Sequence, residues 1–254
     1  MSLNIYVEIK GGLGNQLFQF NAFLIIKNFF NQNINLYCNF QNDTYGRSFL
    51  IDKVLSYKFN LCDSIPVDCI RVKSEDLTRI IEYLGTQTHG NFLIDGYFQN
   101  YDYLLQTNIH EYLLDIRPKK EITAVHLRRS DYGHHGLLPS SYYFKCLEIL
   151  GHSKFVVYSD EYNYSSYIFG NAEGFSGVVK SNLENPLEDF FNIASCSVII
   201  MANSSFSYFA SYFAYRIYLA RVLMPSEWSL IAPYYTGIGS PNSWEKMNIN
   251  LIAP

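Results

Sequence analysis

Residues 4–16 read NIYVEIKGGLGNQ and join three kinds of local pattern. The apolar run at 4–9 predicts a short strand, and the three glycines within 11–14 predict a sharp turn. Apolar residues then recur every three or four positions through 15–30, which predicts a helix. A strand that turns directly into a helix is typical of a parallel α/β sheet.

The same alternation of strand and helix continues along the chain. Before residue 118 the patterns predict strands at 34–38 and 92–94, a helix at 74–84 capped by Ser74, and helical structure over 101–114. After residue 120 they predict strands at 122–127, 155–158, 177–179 and 197–201, and helices at 140–150, 186–194 and 206–215. Residues 116–120 have the character of a linker. We therefore predict two domains, 1–118 and 119–254, each with a parallel sheet covered on both faces.

Composition excludes several classes of protein. The chain has 254 residues, 48% of them apolar and 17% charged, so a disordered protein is excluded. Its net charge of −4 and the lack of a long basic run argue against nucleic-acid binding. The five cysteines have no metal-ligand or disulfide-framework spacing. No stretch resembles a membrane span or a signal peptide, which predicts a cytoplasmic protein and leaves peripheral membrane association open.

The glycine-rich turn can serve a ligand. Glycines such as Gly12 and Gly14 let the backbone approach a bound molecule closely, and the amides of Asn15 and Gln16 can donate to its oxygens. The spacing matches neither a dinucleotide-binding motif nor a P-loop. A tight turn without a ligand remains the alternative interpretation.

Three further motifs follow predicted strands, where parallel sheets bind ligands. In 125–132 (VHLRRSDY), strand alternation puts His126 and Arg128 on one side, and an Arg fork suits phosphate. The second motif is the pair of acids that follows the strand at 155–158, and the third is Asn203-Ser204-Ser205. The alternatives left open are an Arg129–Asp131 ion pair and ordinary helix capping by serine.

Some motifs are missing or unconvincing. The sequence contains no D-x-D, the carboxylate–metal clamp of one large class of sugar-nucleotide transferases, so we predict no metal and no other cofactor. His134 and His135 are adjacent rather than spaced for one face, which favours a polar loop.

Taken together, the motifs resemble those of the galactoside α-1,2-fucosyltransferases, whose central motifs are shared with α-1,6- and protein O-fucosyltransferases. The resemblance lies in residues 11–19, 96–99, 116–118, 126–132, 159–160 and 203–208, in family order. It implies an α/β fold of the GT-B type, with two Rossmann-like domains whose parallel sheets face a cleft. It also implies a metal-independent transferase that uses GDP-fucose.

The resemblance implies roles on the donor side, in the C-terminal domain. Arg128 would hold the β-phosphate of GDP, and His126 would contact the guanine or ribose. Asp160 would bind the guanine edge. Ser204 and Ser205 would donate hydrogen bonds to the diphosphate.

On the acceptor side, the resemblance implies that Asn15 reaches the fucose–phosphate bond or the acceptor across the cleft. Gly12, Gly14, Gln16 and His134 are the other acceptor-side candidates. The acceptor would be a galactoside-containing oligosaccharide or glycolipid.

The implied reaction is an inverting displacement in which the leaving diphosphate gains negative charge. Without a metal, fixed cations and preorganised donors such as Arg128 must stabilise that charge. The base that removes the acceptor proton stays open between Asp131, His134 and a dissociative route that needs no strong base. Two alternative functions stay open: transfer of another nucleotide sugar, and a non-catalytic role in binding a glycan or a nucleotide.

Overall fold

The chain is described by a computed structural model that covers residues 2–30, 33–39, 46–129, 136–151, 154–170, 177–180, 185–229 and 238–249. It divides into two units, Met1–Leu114 and Asp115–Pro254. The sequence placed the boundary slightly later, at residue 118.

The first unit is built on a parallel sheet. Its described strands are β1 (Leu3–Ile9), β2 (Asn33–Cys38), β3 (Leu61–Cys62), β4 (Ile70–Lys73) and β5 (Gly90–Asp95). They lie in the order β3-β2-β1-β5-β4, so the strand before the glycine-rich turn is central. Ile5 of β1 pairs with Ile34 on one side and Phe92 on the other.

The helices of this unit are α1 (Leu13–Phe29), α2 (Leu77–Gly85) and α3 (Tyr101–Leu104), with 3₁₀ turns at Ile51–Lys53 and Ile109–Tyr112. Helix α1 packs on β1 and β2 and also contacts α2 and α3. Because it is covered on several sides, every residue from 13 to 26 is buried except Asn15. Asn15 is therefore the one residue of this stretch that is partly exposed to solvent.

Two predicted helices of the first unit need correction. Helix α2 begins at Leu77 rather than Ser74, because Asp76 is its cap and accepts the N–H groups of Thr78 and Arg79. The helix predicted over 101–114 ends at Leu104 and resumes only as a 3₁₀ turn.

The second unit also contains a parallel sheet. Its described strands are β6 (Lys119–Leu127), β7 (Phe155–Ser159), β8 (Gly177–Lys180), β9 (Cys196–Ile200), β10 (Arg221–Pro225) and β11 (Glu245–Met247). They lie in the order β11-β10-β9-β6-β7-β8. Because β6 already begins at Lys119, the predicted linker at 116–120 is partly strand.

Helices cover both faces of this sheet: α4 (Ser140–Ile149), α5 (Tyr162–Gly170), α6 (Pro186–Ala194) and α7 (Ser205–Tyr218). Val125 and Leu127 of β6 belong to a core cluster with Tyr143 of α4 and Phe169 of α5. His126 points to the other face, where its ring packs against Phe206 of α7.

The described helices and the cysteines bear on two of the predictions from composition. None of the helices in those segments is both long and apolar enough to span a membrane. The five cysteines are all free thiols; Cys146 and Cys196 are buried, whereas Cys38, Cys62 and Cys69 are half-buried.

Candidate active site

Three of the predicted motifs of the second unit meet at one edge of its sheet. Strand β6 lies between β7 and β9, with Leu127 paired to Ser159 and Val125 to Ile200. All three strands are parallel, so the residues that follow them leave the sheet at the same carboxyl edge. That edge is where open α/β sheets bind ligands.

Asp160 organises the end of β6. Its Oδ2 forms an ion pair with Nε of Arg128 at 3.2 Å, and its Oδ1 accepts the backbone N–H of Arg129 at 2.9 Å. The Asp160 side chain is only 8% exposed, whereas that of Arg128 is 29% exposed. Both carboxylate oxygens thus engage the arginine segment, and the implied guanine contact of Asp160 stays a prediction.

Arg129 turns away from the face that holds His126. Its guanidinium carbon lies 3.7 Å from the centre of the Tyr164 ring in α5, a cation–π contact. Arg129 therefore packs against α5. The Asp131 partner considered from the sequence falls in residues 130–135, outside the described residues, as does His134.

His126 is a buried neutral side chain. It is 5% exposed, and its ring centre lies 5.4 Å from that of Phe206. Burial lowers the pKa of His126 to about 4, so the imidazole is uncharged at neutral pH. Its Nδ1 has no hydrogen-bond partner within the described part of the chain. The contact with Phe206 places the start of α7 beside the end of β6.

Ser204 caps α7 in this structure. Its Oγ accepts the N–H of Phe206 at 3.3 Å, the capping role left open from the sequence. Ser205 is the first residue of the helix, whose N-terminus presents backbone donors and a partial positive charge. Asn203 is buried and donates to the carbonyls of Gly136 and Trp228, both at 3.1 Å, which holds the loop before the helix.

The glycine-rich turn of the first unit is held from inside. Gly11 has a φ of +76°, a conformation that favours glycine, and Gly12 is the cap of α1. Gln16 is fully buried: its amide donates to Gly11 O and Ser48 O at 2.8 Å and accepts the N–H of Leu50 at 2.9 Å. Gln16 therefore fixes the turn from within the protein, which differs from its expected acceptor-side position. Gly14 is also buried.

Asn15 behaves differently from Gln16. It is half-buried, and its Oδ1 accepts a hydrogen bond from Nε2 of Gln99 at 2.7 Å. A side-chain carbon on Gly11 would lie only 3.0 Å from Asn15 Nδ2, so the glycine leaves room for this amide.

A charged cluster at the same edge escaped the sequence analysis. Lys10 Nζ pairs with Glu8 at 2.7 Å and with Asp95, and Arg71 Nη1 pairs with Asp95 at 2.8 Å and Glu8 at 3.2 Å. Glu8 is fully buried and also accepts from Asn39. Burial alone raises the pKa of Asp95, but hydrogen bonds from Lys10 and Arg71 outweigh it and lower that pKa to about 2. The sequence offered one signal for this cluster: Glu8 is an acid within the otherwise largely apolar strand β1, and a buried acid needs a cationic partner.

The described residues include no group of three or more His, Cys, Asp or Glu side chains that could hold a metal ion. Two parallel α/β sheets, with chemistry-bearing residues at their carboxyl edges, define the class of fold. It is the fold of GT-B-like glycosyltransferases.

Solved structures support this assignment of the fold. The ADP-heptose heptosyltransferase II of E. coli matches with a TM-score of 0.52 and 11% identity, over 100% of this chain and 92% of that one. The fucosyltransferase NodZ of Bradyrhizobium matches with a TM-score of 0.51 and 13% identity, over 87% and 95%. Arabidopsis thaliana FUT1, solved in complex with GDP, matches with a TM-score of 0.52 and 10% identity, over 88% of this chain and 70% of that one. At these identities the likeness concerns the fold.

Sequence comparison adds one curated relative. The O-antigen biosynthesis glycosyltransferase WbnK of Escherichia coli is 28% identical over 137 residues. The match takes in 49% of this chain and 45% of WbnK, so the chain spans less than half the length of that relative. No family model matches the chain.

Proposed function

We propose that the chain is an inverting glycosyltransferase that moves L-fucose from GDP-fucose to the 2-hydroxyl of a terminal galactoside. The ordered motifs, the GT-B-like fold and the match to an O-antigen glycosyltransferase support the proposal. A structure of NodZ α-1,6-fucosyltransferase with the same fold was crystallised with GDP, which favours GDP-fucose as the donor.

The observation that carries the proposal is the placement of Arg128. Asp160 holds its Nε, and the His126–Phe206 contact brings the N-terminus of α7 to the same strand end. A guanidinium and a helix N-terminus both stabilise anionic oxygen. Together they suit a leaving diphosphate, whose charge grows as the bond to the sugar breaks.

Neutral His126 complements this arrangement. An uncharged imidazole at neutral pH can contact a base or ribose through hydrogen bonding and stacking without adding charge. The cationic contribution at this edge would then come from Arg128, with His126 as the flanking donor-site residue. We propose that the site works without a divalent metal, since the sequence has no D-x-D clamp.

On the acceptor side we propose that Asn15 contacts the sugar or the acceptor, and that Gly12 lets the backbone approach the bound molecule closely. The acceptor proton would go to Asp131, to His134, or to solvent and phosphate in a dissociative route. The second candidate function is transfer of another nucleotide sugar, which the heptosyltransferase match favours.

The test is a donor and acceptor screen with the whole chain. GDP-fucose, other GDP-sugars, UDP-sugars and ADP-heptose are each incubated with galactoside acceptors, and the products are analysed by mass spectrometry and linkage-specific NMR. We expect a fucosylated product with an α-1,2 linkage, and none with Arg128→Ala. A product from another donor alone would establish the second candidate. Binding of GDP without transfer or hydrolysis would indicate a binding protein.

A further inference from the structure

The loop after β5 has an unusual backbone that the donor site does not explain. It contains residues 96–99 (GYFQ), one of the motifs of the resemblance. Phe98 adopts a φ of +53°, in the left-handed region that bulky side chains disfavour, while its ring is 1% exposed. Such a conformation persists only where the surroundings hold it, and it is typical of functional loops.

The carboxylate of Glu75 holds this loop. It accepts the backbone N–H of Tyr97 at 2.9 and 3.0 Å and the N–H of Phe98 at 2.7 Å. Glu75 directly precedes Asp76, the cap of α2, so its backbone is anchored to the start of a helix. A side-chain carbon at Gly96 would collide with the carbonyl oxygen of Ser74, so glycine allows the two segments to approach.

The loop in turn holds the side chain at the start of α1. Gln99 follows the strained residue and donates from Nε2 to Oδ1 of Asn15 at 2.7 Å, a contact between residues 84 positions apart. This bond directs the Asn15 oxygen to Gln99 and its Nδ2 toward Gly11. The orientation of the Asn15 amide therefore depends on where the loop places Gln99.

We propose that Glu75 is a positioning residue for the transfer step. By fixing the N–H groups of Tyr97 and Phe98 it sets Gln99, and Gln99 sets the amide of Asn15 for its contact with sugar or acceptor. The inference rests on the proposed function, in which Asn15 acts on the acceptor side. It adds a chain of two positioning residues, Glu75 and Gln99, to that site.

The kinetic test compares Gln99→Ala, Glu75→Gln and Glu75→Ala with the wild-type chain. Because a misplaced reacting group slows the transfer itself, kcat should fall about tenfold in Gln99→Ala and Glu75→Ala. The KM for GDP-fucose should stay within about twofold, since the proposed function assigns GDP binding to residues of the second unit. Glu75→Gln keeps one acceptor oxygen, so its loss should be smaller.

Matched controls separate positioning from general destabilisation. Gln106→Ala and Glu82→Ala remove an exposed glutamine and an exposed acid of the same unit, and both should keep wild-type kcat. In a double-mutant cycle, Gln99→Ala added to Asn15→Ala should cost nothing further. Multiplicative losses in the double variant, or equal changes in kcat and KM, would overturn the proposal.

A second measurement does not depend on turnover. The side-chain amide signal of Asn15, assigned by its loss in Asn15→Ala, is followed by ¹H–¹⁵N NMR. It should shift in Glu75→Gln and Gln99→Ala but not in Gln106→Ala. An unchanged signal would overturn the proposal even if Glu75→Ala failed to fold. If the wild-type chain transferred no fucose, the proposed function would fail while this signal still decided the positioning role.

Discussion

The carboxyl edges of the two sheets arrange their charged side chains in different ways. At the first edge, Lys10 and Arg71 pair with Glu8 and Asp95, so two positive and two negative groups cancel. At the second, Arg128 pairs with Asp160 and Arg129 packs on Tyr164, beside the N-terminus of α7.

In the proposed function, the denser cluster of charges, at the first edge, is not the anion site. Buried carboxylates such as Glu8 must be paired, and here Lys10 and Arg71 are their cationic partners. The proposed anion site is instead the second edge, where Arg128 and the N-terminus of α7 come together. Four predictions test this contrast, in order of expected effect.

The largest effect is expected at Arg128. Arg128→Ala should lower kcat/KM for the donor by at least ~30-fold, within the ~2–5 kcal/mol expected for one arm of a buried charge pair. Arg129→Ala should cost less, because its guanidinium packs on Tyr164. Steady-state kinetics and calorimetric GDP binding on folded variants measure both. Equal mild losses, or a larger loss at Arg129, would remove the basis of the contrast.

Acid should weaken the second edge first. The pKa of His126 is lowered from 6.5 to about 4, so folding favours the neutral imidazole. The stability that the neutral imidazole contributes to folding is fully present above pH 6.5. It is lost as the pH falls toward 4, which lowers the unfolding free energy by about 3 kcal/mol. The lowered pKa of Asp95 acts only later, between 3.8 and about 2.

Urea unfolding of the wild-type chain and of His126→Gln, at several pH values, isolates the histidine. The difference in unfolding free energy between the two proteins should shrink as the pH drops from 6.5 to 4. A difference that stays constant over this range would show that His126 titrates normally.

The first edge should respond in stability rather than in ligand binding. Lys10→Met leaves buried Glu8 and Asp95 with Arg71 as their remaining cation in the described cluster, and should cost about 1–3 kcal/mol of unfolding free energy. GDP affinity should stay unchanged. Lys73→Met, at an exposed lysine of β4, serves as the matched control. A loss of GDP binding in folded Lys10→Met would give this edge a share in the anion site.

The smallest effect is expected from metal removal. With excess EDTA, GDP affinity and turnover should both remain at their untreated values, because fixed cations replace the metal in the proposed mechanism. Calorimetry and a product assay provide the measurement. Activity that disappears and returns with Mg²⁺ or Mn²⁺ would mean that the fixed cations are insufficient by themselves.

Several elements of the second unit were predicted well from the sequence. The predicted bounds of α6 agree with the structure at Pro186–Ala194, and those of β6 and β7 are close to the observed ones. The edge strands β3, β4 and β11, which have two to four residues, were missed, as was β10, which lies inside the second sheet between β9 and β11. Tertiary pairing, rather than local pattern, makes them strands.

The candidate site divides in the same way. The sequence by itself determined which residues follow the strands, because strand ends and turns are local signals; Arg128, Asp160 and Ser204 were predicted as site residues partly on that ground. Only the tertiary structure decided what each one touches. Arg129 and Asp160 are 31 positions apart and meet because β6 and β7 are neighbours. Adjacent Asn15 and Gln16 differ because one helical step turns the first toward Gln99 and the second into the core. Such contacts depend on sheet order and helix rotation, which local periodicity does not encode.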